Sequence, residues 1–203
     1  MGYLRRIKDL FLPKRRLSKE ESDYLFLKQC GVETEMGAVH LIGRPIISMA
    51  PGSRIVIENN VTLVSDPGWN EAGINHPVIL STSAPGAEII IHQGVSISGA
   101  SIVSCQKIEI GENTALGVNC NVWDTDFHFC DYDKRNRQRR IEEAPSAPIK
   151  LGERCWIAAN VTILKGVEIG SNSVIGAMSL VTRSLPDNVV AGGNPARIIR
   201  QNQ

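Results

Sequence analysis

Aromatic side chains make up only 5% of the 203 residues, and no apolar run is long enough to span a bilayer. The first scarcity points to a narrow core filled by Ile, Val and Leu. The second, with the lack of a leader carrying an apolar core and cleavage site, leads us to expect a cytoplasmic protein. Net charge is only +1, so no global field exists that would gather nucleic acid. The five cysteines, Cys30, Cys105, Cys120, Cys130 and Cys155, form no CxxC pair and are odd in number, which fits a reducing compartment. Hydrophobic residues nevertheless reach 42%, enough for one sizeable core.

What the chain does have is a period of six. Leu151, Ile157, Ile163, Ile169, Ile175 and Val181 recur at that spacing, each four residues ahead of a companion: Cys155, Val161, Val167, Ser173, Ser179 and Leu185. Turn formers lie between, as in Leu151-Gly-Glu-Arg-Cys and Ile169-Gly-Ser-Asn-Ser. Six matches neither an α-helix nor an alternating strand. It matches a parallel β-helix of hexapeptide repeats, in which short strands coil around a triangular prism, left-handed as such prisms usually are. Each aliphatic points inward and each coil stacks about 4.8 Å from the last.

The pattern recurs earlier. Ile57, Val61 and Leu63 form one stretch; Ile91, Ile97 and Val103, with companions Val95 and Ser101, form another. A slip of one residue resets the phase to Ile110, Leu116 and Val122, with Thr114, Cys120 and Asp126 as companions. Cys120 and Cys155 are therefore read as packed thiols. Coils are expected to begin near Leu41 and Ile47. Two polar stretches, residues 65–86 and 124–148, interrupt the repeat and are expected to project as loops from a corner. The second carries five basic residues in the seven from Lys134 to Arg140, read first as a solvated face and second as a contact for an acceptor or phosphate.

The N-terminal residues 1–34 read as a short helical segment ahead of the β-helix domain, 35–203. Leu4, Ile7, Leu10 and Phe11 have helical spacing, with six basic residues and one acid in residues 1–16. That segment is expected to pack on protein; a weaker alternative is contact with an anionic membrane surface. Ser18-Lys-Glu-Glu21 is a capping box that predicts a helix to about Gln29.

The hexads, Asp124-Thr-Asp-Phe-His128, Trp156-Ile-Ala-Ala159 and Gly193-Asn-Pro-Ala-Arg197 together resemble the hexapeptide-repeat O-acetyltransferases over about residues 40–200. Within them the chain is most similar to sugar acetyltransferases of bacterial surface-polysaccharide synthesis, with galactoside and maltose acetyltransferases as more distant relatives. The resemblance implies acetyl transfer from acetyl-coenzyme A to a sugar hydroxyl, free or lipid-linked, with no metal. It also implies a homotrimer with each cleft between adjacent prisms. His128 matches the family's base. The chemistry asks for one, because a sugar hydroxyl is a poor nucleophile and an imidazole titrates near neutrality. Asp126 or Asp124 is expected to orient it; Asp126 falls at an inward position, which leaves Asp124 freer to reach. His76 and Asn121 are candidate acceptor contacts.

For the coenzyme, Ala159 and Ala177 match positions whose backbone meets the pantetheine arm. Thr182 and Arg183 match a polar-basic pair near its far end, Arg197 and Arg200 match basic residues after the last turn, and Trp156 matches a tryptophan of the relatives. Galactoside-type relatives carry Ser and Lys where this chain has Ala159 and Arg183, which weakens those two side-chain roles. Three rivals share the scaffold: an N-acetyltransferase acting on an amino-sugar nucleotide, a non-catalytic scaffold, and a zinc enzyme needing three converging histidines. The four histidines here show no paired ligand spacing.

Overall fold

A branched aliphatic every sixth residue cannot be covered by one flat sheet, and the chain closes on itself instead. The structure, a computed structural model, describes residues 17–202; the amphipathic segment 1–16 lies outside them. Among the described residues, nineteen short strands form three sheets that are the faces of a left-handed parallel β-helix. The first face stacks β1 (Val39–Ile42), β4 (Val61–Val64), β7 (Ser96–Ser98), β10 (Ala115–Leu116), β13 (Trp156–Ile157), β16 (Val174–Ile175) and β18 (Val189–Gly193). The second stacks β2 (Ile46–Met49), β5 (Ile79–Thr82), β8 (Ser101–Ser104), β11 (Asn121–Trp123), β14 (Thr162–Leu164) and β17 (Leu180–Val181). The third stacks β3 (Arg54–Ile57), β6 (Glu88–Ile91), β9 (Lys107–Ile110), β12 (Ile149–Leu151) and β15 (Glu168–Ile169). The last strand, β19 (Ala196–Gln201), folds back antiparallel on β18.

Register turns the period into a core. On the first face Leu41, Leu63, Ile97, Leu116, Ile157 and Ile175 lie directly over one another. On the second face the column is Ile47, Leu80, Ile102, Val122, Ile163 and Val181. The third column runs Ile57, Ile91, Ile110, Leu151 and Ile169. Corners need a left-handed backbone, and six of the nine non-glycine residues with positive φ are asparagines, the side chain that tolerates it best after glycine. Burial pushes the Cys120 thiol up to about 11, as its packed place predicts.

One phase assignment needs correction. Val103 and Ser101 were expected to face inward; Ile102 and Ala100 do so, both with no exposed surface. The corner before them is one residue short because Gly99, at φ +52°, turns where a Cβ would lie 2.6 Å from Ile74 and 2.9 Å from the His76 carbonyl. The extra residues return at the next corner, Ser104-Cys105-Gln106, where Ile108 resumes the inward pattern.

The ends are closed by different devices. Helix α1 (Lys19–Gln29) starts at the expected capping box: Ser18 Oγ accepts from the Glu21 N–H, and the Glu21 carboxylate accepts from the Ser18 N–H. Its Leu27, with Val32 after it, covers the first coil. The β18–β19 hairpin closes the other end through Ala191 and Ala196. The first interruption is shorter than expected, since β5 resumes the coil at Ile79. It leaves the corner between the first and second faces; the second interruption leaves the corner between the second and third.

On the third face His92 bridges three coils, its Nδ1 3.0 Å from Glu58 and its Nε2 3.3 Å from Glu109. Burial alone lowers the affinity of this imidazole for its proton, but the two carboxylates outweigh it and hold its pKa above the usual histidine value. A raised folded-state pKa gives stability that is full below the unfolded value and fades as pH rises through the folded one. The denaturation midpoint of His92→Gln should therefore trail the native chain most near about pH 6 and least near about pH 8.5; an equal gap at both would exclude the clasp. In urea, Ile102→Ala should cost about 2–5 kcal/mol while Val103→Ala costs under about 1 kcal/mol. The reverse ranking would restore the original phase.

Candidate active site

After β11 the chain leaves the coil, and Asp124 fixes where. Its carboxylate is fully buried and accepts from Ser104 Oγ at 2.8 Å and from the backbone N–H groups of Cys105 and Gln106 at 2.6 and 2.8 Å. Those donors belong to the overlong corner of the coil before. Asp124 thus pins the loop root to that corner, and its side chain is spent there; the expectation that it is free to reach His128 is overturned. The inward position expected for Asp126 is taken up by this exit, so Asp126 turns outward to an ion pair with Lys165 Nζ at 2.7 Å. Neither carboxylate bonds the His128 ring within the described chain.

The loop is drawn closed at its base by an antiparallel bridge between Thr125 and Ser146 and by the Asp126 N–H on the Pro145 carbonyl. Phe127 sits at φ +61°, a strained conformation for a bulky residue. Its ring packs edge-on against Trp123 at 5.4 Å, and its N–H donates to Thr125 Oγ1. The strained turn carries His128 outward, where its side chain is exposed and makes no hydrogen bond within the described chain. Gln138 staples the return path: its amide donates to the carbonyls of Phe127 and Arg140, and its oxygen accepts from the Phe129 N–H. The short helix α2 (Tyr132–Arg137) lies in between, capped by Asp131.

His128 stands at a pocket of about 340 Å³ inside this loop. Phe127 and Ile141 give it an apolar wall, and Arg135, Arg139 and Arg140 line the remainder with Gln138. Lys165, Gln138 and Thr125 are absent from the expected set. Only Lys165 had a signal, following inward Ile163 by two positions as Arg183 follows Val181.

The other expected residues lie along two corners and two faces. Thr182 and Arg183 follow β17 at the corner that carries the His128 loop. Asn121 is on the second face, its amide 3.3 Å from Thr162 Oγ1. Ala159 and Ala177 stack at the corner between the first and second faces, linked by the Met178 N–H on the Ala159 carbonyl. His76 lies in the insertion from that same corner, which Asn119 anchors through the Asn75 N–H and the Gly73 carbonyl. Trp156, 59% exposed, shares an outward row of the first face with Val174, Val190 and Arg200. Arg197 is exposed on β19, its guanidinium turned onto the Ala196 carbonyl. One prism therefore brings Thr182 and Arg183, but not Trp156, Ala159, Ala177, Arg197, Arg200 or His76, to the corner of His128. Among the described residues no three metal-ligating side chains converge.

Residues 148–183 match the family model described as "Bacterial transferase hexapeptide (six repeats)". This stretch is a bacterial-transferase hexapeptide repeat. The chain is 40% identical over 100 residues to the galactoside O-acetyltransferase of Escherichia coli, an alignment covering 49% of this chain and 47% of that one. It spans about half the length of the curated relatives it matches. Among solved structures it is similar to a maltose O-acetyltransferase from Clostridium difficile at 25% identity and a TM-score of 0.54, covering 99% of this chain and 85% of that one. It shares its fold with an N-acyltransferase from Bacillus cereus in complex with dTDP-4-amino-4,6-dideoxyglucose and coenzyme A, at 21% identity and a TM-score of 0.65, covering 89% of each chain.

Replacing Asp124 with Ala removes one acceptor from three buried or half-buried donors. It should cost about 3 kcal/mol or more in urea unfolding. A stability loss within about 0.5 kcal/mol would return Asp124 to the list of groups available to His128.

Proposed function

We propose that the protein transfers an acetyl group from acetyl-coenzyme A to the hydroxyl of a sugar, in bacterial surface-polysaccharide synthesis, with His128 as general base. The observation that carries this reading is an exposed imidazole with no partner in the described chain, held at a pocket by a loop tied at both ends, on a hexapeptide prism. In the step, the imidazole takes the hydroxyl proton as the oxygen attacks the thioester carbonyl carbon. The carbon–sulfur bond then breaks, and the coenzyme leaves as a thiol that receives the proton. Asp126, two residues before His128 and paired to Lys165, is a positioning group through the backbone: its carbonyl accepts the His128 N–H.

The coenzyme groove lies along Trp156, Ala159, Ala177, Thr182, Arg183, Arg197 and Arg200. Small side chains at the Ala159–Ala177 corner leave backbone open to a narrow pantetheine arm. Exposed guanidiniums suit phosphates, which they bind by charge-assisted and sometimes bidentate hydrogen bonds. His128 occupies one edge of the second face and Ala159 the other, so the reading calls for a neighbouring copy to supply the second wall. A homotrimer with shared clefts meets that need. His76 and Asn121 are acceptor contacts in this arrangement.

Release of free coenzyme A from acetyl-coenzyme A, measured across hydroxyl and amino sugars, tests the reading. His128→Ala should lower turnover about a hundredfold or more with an unchanged melting temperature. Full turnover in that variant removes the base assignment, and a preference for amino acceptors replaces O-transfer with N-transfer. Light scattering reporting a monomer removes the shared cleft.

A further inference from the structure

The pocket beside His128 carries a charge pattern that an ordinary neutral sugar does not require. Three of the residues lining it are arginines and none is acidic. Arg140 is balanced by Glu142 at 3.2 Å and Glu143 at 3.7 Å. Arg135 and Arg139 are not: among the described residues no carboxylate lies within ion-pair distance of either guanidinium. Arg135 donates one nitrogen to the carbonyls of Phe129 and Cys130, and Arg139 makes two long bonds of 3.4 Å to the carbonyls of Asn136 and Gln138. Carbonyls orient these groups without neutralising them. Two exposed guanidiniums without a carboxylate partner in one pocket leave N–H donors and positive charge available to an anion.

We infer that this pocket receives a phosphate of the acceptor, so that the acceptor is a phosphorylated or diphosphate-linked sugar rather than a neutral one. Two unneutralised guanidiniums match a dianion, and the planar forks fit phosphate oxygens. The apolar wall of Phe127 and Ile141 suits the C–H face of the sugar ring. The volume, about 340 Å³, falls at the small end of ligand pockets, which run to about 1,000 Å³. The inference rests on the reading of His128 as base, because that reading places the acceptor here. The coenzyme also has phosphates, and the experiment must separate the two sources.

Inorganic pyrophosphate is the probe, titrated calorimetrically into the full chain. It should bind saturably, weaken about tenfold or more in Arg139→Gln, and be unchanged in Arg137→Gln, whose side chain lies on α2 outside the pocket. Arg139→Lys keeps the charge without the fork and should lie between the two. In the coenzyme A release assay, pyrophosphate should compete with the sugar and not with acetyl-coenzyme A, and glucose 1-phosphate should outperform glucose and glucuronate. Absent binding, equal affinity in Arg139→Gln, competition against acetyl-coenzyme A alone, or preference for glucuronate each overturns the assignment. The titration needs no turnover. Pyrophosphate binding lost in Arg139→Gln while no sugar is acetylated would sink the acetyl-transfer reading and leave the anion pocket standing.

Discussion

The hydrogen-bond ladder between stacked coils is the constraint on which the rest of this molecule depends. Each parallel strand of the coils, two to five residues long, is too short to stand alone, and its backbone groups are met by the neighbouring coils. Because the ladder runs along all three faces, extra residues can enter only at corners, and each end must be covered. The helix α1, the two insertions and the terminal hairpin are the chain's answers to those requirements.

The same constraint shapes the region around His128. A loop of more than twenty residues is tolerated because its root is tied to the prism at one point by Asp124 and at its base by the Thr125–Ser146 bridge. The donors that Asp124 satisfies exist because the preceding corner is overlong, and that corner is overlong because Gly99 shortened the one before it. A steric requirement at one glycine thus reaches the loop through two coils. The loop then spends its internal hydrogen bonds, above all those of Gln138, on holding its own backbone, which leaves the His128 imidazole and the guanidiniums of Arg135 and Arg139 facing open volume.

Rigidity of the prism also separates groups. The corners bordering the second face cannot approach each other without breaking strands, so Ala159 and Ala177 stay apart from His128 in one chain. Under the proposed function this is the reason for assembly: neighbouring prisms set side by side can join the two edges, which no movement within a prism can do.

The hexads from Leu151 to Val181, the capping box at Ser18 and the start of the coils near Leu41 and Ile47 were legible in the amino-acid order. Each depends on contacts that repeat at a fixed interval or lie within one helical turn, so local pattern carries them. The inward turn of Ile102 in place of Val103 was not legible, because it depends on the close approach of a distant insertion to Gly99, where no side chain would fit. Nor was the exchange of roles between Asp124 and Asp126, which depends on the N–H groups that Asp124 accepts from, nineteen and eighteen residues away. The basic run from Lys134 to Arg140 announced charge but not its distribution. Only the folded loop decides that Arg140 is neutralised while Arg135 and Arg139 are not, because ion pairing is settled by distance in space and not by order along the chain.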